Sequence, residues 1–165
     1  KIIWDAVEQL SYLKITLILI GSGNIKKELV DRYSHVDAIC FWESKPKNII
    51  PLFQKEFDLG YMGAKHLKLY DYGVSFNKMY EYMYNKVPVL AGEHPKHSAA
   101  FESGGGVFFK NESLESLKDK IEMAYYMSHH NLKALGGLGQ KEIASKYLYS
   151  KLAEKYIDIF NKLSK

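Results

Sequence analysis

Arginine occurs once in the 165 residues, at Arg32, and cysteine once, at Cys40. With a single arginine and with lysine spread along the chain, there is no compact basic patch interleaved with aromatics of the kind a nucleic-acid surface needs, so no nucleic acid is expected as a partner. One cysteine inside an apolar stretch rules out a disulfide framework and reads as a reduced core thiol in a cytosolic protein. Long apolar runs are missing too. The longest, Ile15 to Ile20, is interrupted by Thr16 and followed by Gly-Ser-Gly, which is too short to cross a bilayer. No signal peptide is visible, and the chain opens on Lys1-Ile2-Ile3-Trp4 already in helical periodicity, as a fragment would.

What is present is the balance of a soluble globular protein, with 47% hydrophobic and 25% charged residues. A chain of this length buries about two-thirds of its unfolded surface, enough for one full core and not for a second domain. The net charge of +4 suits an anionic small molecule, and an acidic membrane surface fits equally.

Ile3, Val7 and Leu10 suit a short helix. Residues 15–20 then form a strand that is apolar on both faces and calls for helices on both sides. Gly21-Ser22-Gly23-Asn24 is a turn with a helix cap, and Ile25 to Tyr33 follow as the helix. Strands are expected at Val36 to Trp42, Phe57 to Met62, Val87 to Ala91 and Gly106 to Phe109. Helices are expected at Asn48 to Lys55, from near Ser75 to near Asn85, and at 97–102. Leu114, Leu117, Ile121, Ala124 and Tyr125 recur at helical spacing behind Asn111 or Ser113 as a cap. A last helix is expected from about Lys141 to Leu163. Repeated strand, loop and helix units predict an α/β fold, a Rossmann-like doubly wound parallel sheet. Such sheets bind ligands outside the carboxyl ends of their strands.

Three features at those ends carry the functional reading. Gly21, Ser22 and Gly23 follow the first strand, where two glycines admit a phosphate or base close to the backbone or simply make a tight turn. Ser75, Phe76, Asn77 and Lys78 lead into a helix whose first amides suit a diphosphate. Lys78 adds a full charge there or is an ordinary solvated lysine. Glu81, about one turn inside, accepts hydrogen bonds from a polyol such as ribose if it faces the crevice, and is otherwise unremarkable. His94 and His97 straddle Pro95 in a loop and Asp58 lies in an apolar strand, so no metal site is expected. His129-His130 reads as the end of a helix.

The stretch from Tyr72 to Gly92, YGVSFNKMYEYMYNKVPVLAG, together with Gly104-Gly105-Gly106-Val107, resembles the donor-binding domain of retaining GT-B glycosyltransferases of the family 4 type. The S-x-N-K-x-x-E-Y-M pattern is similar to the branch that builds capsule, O-antigen and exopolysaccharide. The resemblance implies that Glu81 holds the nucleotide ribose and that Ser75, Phe76 and Asn77 present amides to the diphosphate. It implies that Gly21 and Gly23, with Ser22 between them, lie near the nucleotide, that Lys78 is the catalytic cation, and that Pro88 is structural. The implied substrate is a nucleotide-sugar, without metal or other cofactor. The acceptor is a glycan or lipid-linked molecule held by a second domain. The implied location is the cytoplasm, with peripheral attachment to the inner face of the membrane as the alternative placement.

Two departures matter. Many relatives carry a second glutamate eight residues before the ribose-binding one, and here that position is Gly73; Ala99 likewise replaces a frequent glutamate. The family's phosphate-clamping arginine and lysine belong to a first strand and loop upstream of Lys1. The resemblance therefore implies an amino-terminally truncated carboxyl-terminal domain over 1–165, with the missing strand between the strands at 15–20 and 87–91. Two other classes stay open: a sugar-nucleotide epimerase, which needs acid/base carboxylates in the cleft, and a nucleotide-binding domain without turnover.

Overall fold

The computed structural model describes residues 2–65, 67–72, 74–92 and 98–164. Gly73, His94, Pro95 and His97 lie outside the described residues. The chain alternates helix and strand: α1 (Ile2–Gln9), β1 (Leu17–Ile20), α2 (Lys26–Tyr33), β2 (Ile39–Trp42), α3 (Ile50–Gln54) and β3 (Gly60–Met62). A 3-10 turn at Lys68–Tyr72 follows, then α4 (Asn77–Tyr84), β4 (Val89–Gly92), α5 (Ala99–Ser103), β5 (Gly106–Phe109), α6 (Leu114–Tyr126), α7 (His129–Lys146) and α8 (Tyr149–Leu163).

All strand pairs are parallel, so every connection between neighbours is a crossover and both sheet faces are covered. The pleat shows how the sequence achieves this. Leu90, Val107 and Phe109 point to one face, against Leu10, Leu117 and Ile121. Val89, Ala91 and Phe108 point to the other, against Met79, Met83, Ala100 and Ile143. Strand β4 has all four residues buried, as a central strand between two helical layers should.

The sheet is in two pieces, β1 with β2 and β3-β4-β5. This corrects one expectation. Residues 87–91 do not flank a vacancy, because β4 is paired on both edges, by β3 and by β5. The break lies between the two pieces, and the apolar β1 is only partly buried at all four of its positions.

Two further corrections concern the carboxyl-terminal region. His129-His130 does not end a helix; it opens α7, capped by the Ser128 hydroxyl, which accepts from the Asn131 amide at 3.2 Å. The single helix expected from Lys141 to Leu163 is two, separated at Tyr147-Leu148, where Tyr147 stacks on Tyr80 with centroids 5.1 Å apart. The first of these helices contains Gly136, Gly137 and Gly139, residues that weaken a helix in isolation. At Gly136 close approach accounts for the choice, because a Cβ would stand 1.9 Å from the Lys86 carbonyl oxygen and 3.3 Å from Pro88. The helix forms there because its backbone packs directly on the turn between α4 and β4.

Substitutions at neighbouring glycines should therefore move stability in opposite directions. Gly137 has open space where a Cβ would go, so Gly137→Ala should stabilise by up to about 1 kcal/mol through helix propensity. Gly136→Ala should destabilise by about 1 to 3 kcal/mol through overpacking. Thermal unfolding of the two variants checks this, and equal shifts of one sign would refute the packing account.

Candidate functional site at the carboxyl ends of the strands

A cavity of about 1390 Å³ runs along the break between the two sheet pieces. Gly21, Asn77, Lys78 and Glu81 all line it, and Gly21 directly follows β1, which places these four at the carboxyl end. Lys45 and Lys47, from the loop after β2, line it as well. Against these three lysines the carboxyl end offers one lining carboxylate, Glu81, whereas the opposite end is lined by Glu56 and Asp58, ahead of β3, with one lysine, Lys14. The cavity is therefore polarised, with excess positive charge at the mouth where open parallel sheets take ligands.

Helix α4 supplies the second element of this mouth. Its N-cap is Phe76 in extended conformation, with no side-chain hydrogen bond to the first turn. The Met79 and Tyr80 amides both reach the Phe76 carbonyl, at 3.0 and 3.3 Å, so the amides of Asn77 and Lys78 are the ones left without an intrahelical acceptor. These amides, the positive end of the helix dipole and the Lys78 ammonium favour an anion together. Glu81 is half-buried one turn further on. Its charge, second to burial, raises the Tyr82 phenol above its ordinary range.

The remaining expected residues are placed differently. Ser22, Gly23, Ser75 and Phe76 are not among the residues lining the cavity. The Ser44 hydroxyl donates to the Ser22 oxygen at 2.8 Å, tying the loops after β1 and β2 together. Lys26 reinforces the same tie, donating to the Trp42 carbonyl at 3.1 Å and to Glu43 at 2.7 Å. Ser75 is exposed and precedes the helix it was expected to open, while Phe76 packs edge-on against Tyr70, centroids 5.5 Å apart. Asp58 lies before β3 rather than in it. Lys45 and Lys47 escaped the sequence reading; their signal is Glu-Ser-Lys-Pro-Lys directly after a strand. Among the described residues no three His, Cys, Asp or Glu side chains stand together as a metal site. Among the same residues no helix is long and apolar enough to cross a membrane.

Comparison with known proteins bears on the fold. No protein-family model matches the sequence, and no curated protein matches it. Solved structures do. S. aureus TarM, in a variant complexed with fondaparinux, α-GlcNAc-glycerol and UDP, superposes with a TM-score of 0.78 at 16% identity, over 97% of this chain and 32% of TarM. A glycosyltransferase of Rickettsia africae gives 0.78 at 14% identity, over 99% of this chain and 44% of its own. Anabaena HepE in complex with UDP-glucose gives 0.73 at 17% identity, over 98% and 44%. The chain thus spans a third to under half the length of these proteins. Its fold is a parallel α/β, Rossmann-like half-domain resembling one lobe of a GT-B glycosyltransferase.

The two glycines of the first loop should separate by their backbones. Gly21 has φ of +154°, which side chains rarely adopt, whereas Gly23 has ordinary φ and nothing within 4 Å of a built Cβ. Gly21→Ala should cost about 1 kcal/mol or more, and Gly23→Ala should stay within about 0.5 kcal/mol of the parent. Denaturant unfolding of both variants measures the difference; equal costs would contradict it.

Proposed function

We propose that the chain is the donor-binding lobe of a retaining glycosyltransferase that moves a sugar from a nucleotide diphosphate to a glycan or lipid-linked acceptor. The observation that carries this reading is the meeting of Gly21, the Asn77 and Lys78 helix start and Glu81 on one cavity at the carboxyl ends of the strands. Glu81 accepts hydrogen bonds from the ribose hydroxyls. The Asn77 and Lys78 amides hold the diphosphate, and Ser75 and Phe76 fix where that helix begins. Gly21 forms the wall beside the nucleotide, while Ser22, bonded to Ser44, and Gly23 continue that loop outside the cavity. The S-x-N-K-x-x-E-Y-M pattern supports a role in surface-polysaccharide synthesis, and the proposed location is the cytoplasm or the inner face of the membrane.

In the reaction the bond from the anomeric carbon to the diphosphate oxygen breaks, with its electron pair staying on the diphosphate. The acceptor hydroxyl oxygen forms the new bond and gives up its proton to the departing diphosphate. Negative charge grows on the departing diphosphate, so a cation and amides aimed there bind the transition state more tightly than the ground state. Lys78 supplies that cation, and no metal is invoked. The acceptor binds on a second domain. An epimerase needs paired acid/base carboxylates; among the described residues Glu81 is alone at this mouth.

Calorimetry with uridine, UDP, GDP and ADP tests the division of labour, uridine nucleotides being the first choice because TarM and HepE were solved with UDP and UDP-glucose. Glu81→Ala should weaken uridine and UDP alike, by roughly ten- to a hundredfold for charge-assisted bonds of about 1.5 to 3 kcal/mol. Lys78→Ala should weaken UDP while sparing uridine. Unchanged UDP affinity in Lys78→Ala would make that lysine a solvated helix residue and remove its assignment.

A further inference from the structure

Lys45, Lys47 and Lys78 line one opening, and among the described residues none of the three makes a hydrogen bond or an ion pair. Lys26, close by, is the contrast. Its ammonium donates to Glu43 at 2.7 Å and to the Trp42 carbonyl at 3.1 Å. The Lys26 ammonium, and to a smaller degree Lys45, holds the Glu43 carboxyl below its usual range. The one acid of the loop after β2 is thus engaged by Lys26, and Lys45 and Lys47 keep their charge uncompensated. On the other side, Lys78 and Glu81 stand one turn apart on α4 without forming an ion pair. Like charges gathered at one opening repel until an anion joins them.

The chain presents these lysines from two separate supports. Lys45 and Lys47 flank Pro46, whose ring fixes its own backbone torsion and confines Lys45 to extended conformations. The Ile49 amide donates to the Pro46 carbonyl at 3.0 Å, closing the turn into α3. One residue ahead of Lys45, Ser44 is tied to Ser22, and the Trp42 carbonyl accepts from both the Gly21 amide and Lys26. The loops after β1 and β2 therefore form one unit, and two lysines stand on it. Lys78 stands on the other support, because α4 packs through Met79 and Met83 against Val89 and Ala91 of β4.

We infer that Lys45 and Lys47 are ligand-binding residues, gripping a diphosphate from the side opposite α4 and making the mouth selective for a diphosphate over a monophosphate. The inference rests on the reading that this mouth takes a nucleoside diphosphate, and adds to it two residues and a selectivity. Charge points to the ligand. Three lysines against the single carboxylate of Glu81 leave two positive charges in excess, which a diphosphate diester, with its two negative charges, neutralises. A monophosphate held at the α4 amides leaves the opposite pair unmatched. An ammonium offers three donors on a flexible stem, so Lys45 and Lys47 reach whichever phosphoryl oxygens face them, through charge-assisted bonds. The stiff loop limits the entropy lost when they do so.

Amide NMR titrations of the 165-residue chain at constant ionic strength test this, with pyrophosphate, orthophosphate, uridine and UDP as probes. Pyrophosphate should shift the Lys45 and Lys47 amides together with those of Asn77 and Lys78, and should bind about tenfold more tightly than orthophosphate. Lys45→Gln and Lys47→Gln in one chain should weaken pyrophosphate and UDP by about tenfold and leave uridine unchanged. A control that removes the same charge from α8, Lys155→Gln with Lys162→Gln, should change none of these by more than about twofold. Shifts confined to α4, no pyrophosphate binding up to millimolar, or equal losses in the two double variants would overturn the role of Lys45 and Lys47. UDP binding that ignores both lysines keeps the nucleotide reading and overturns this inference. Pyrophosphate held by both supports, with no binding of uridine and no gain from UDP, keeps the two lysines as ligand-binding residues and overturns the nucleoside.

Discussion

Strand β4 is paired on one edge with β3 and on the other with β5, and its residues are buried on both faces. That double commitment sets most of what surrounds it. Val89 and Ala91 fix the layer of α4, α5 and α7, while Leu90 fixes the layer of α1 and α6. The close seat of α7 on the turn before β4 then requires glycine at position 136. Because β4 is paired on both edges, the break falls at an outer strand, and it lies beside β3, whose Tyr61 lines the cavity together with β1. The orientation of α4, and with it the position of Lys78 and Glu81, follows from the packing of Met79 and Met83 against the same strand layer.

The candidate site is a consequence of this geometry more than of any single residue. Parallel strands deliver all their loops to one end, so the loop after β1, the loop after β2 and the start of α4 converge without long connections. Charge follows the same direction. Lys45, Lys47 and Lys78 gather at the carboxyl end against Glu81, and Glu56 and Asp58 at the amino end against Lys14. A field of that sense draws an anion to the mouth and gives no reason for one at the base.

The alternation of strands and helices was legible because each strand is a compact apolar run bounded by turn residues, and α6 because its apolar spacing follows a serine cap at Ser113. Helix α7 was not legible. Its Gly136-Gly137-Leu138-Gly139 segment has the composition of a loop and becomes helical only through contacts with α4 and the start of β4, which no local pattern encodes. The same limit applies to the sheet: periodicity reads β1 as a strand covered on both faces but not which of its edges is paired. Within the site, Gly21, Asn77, Lys78 and Glu81 could be grouped from the strand-end rule alone. Lys45 and Lys47 could not, because two lysines around a proline in an exposed loop look like any solvated turn. Ser22 looked like a ligand group, whereas its oxygen is engaged by Ser44.

The central claim is that the carboxyl-end mouth, and no other surface, takes a nucleoside diphosphate. Amide resonances followed by NMR during a titration with UDP test it most directly, because each strand end and helix start reports separately. The account predicts that the largest shifts fall on Gly21, Asn77, Lys78 and Glu81, with little change at Lys14 or Asp58 at the other end of the cavity. Shifts centred on the amino ends of the strands, or none up to millimolar UDP, would contradict it.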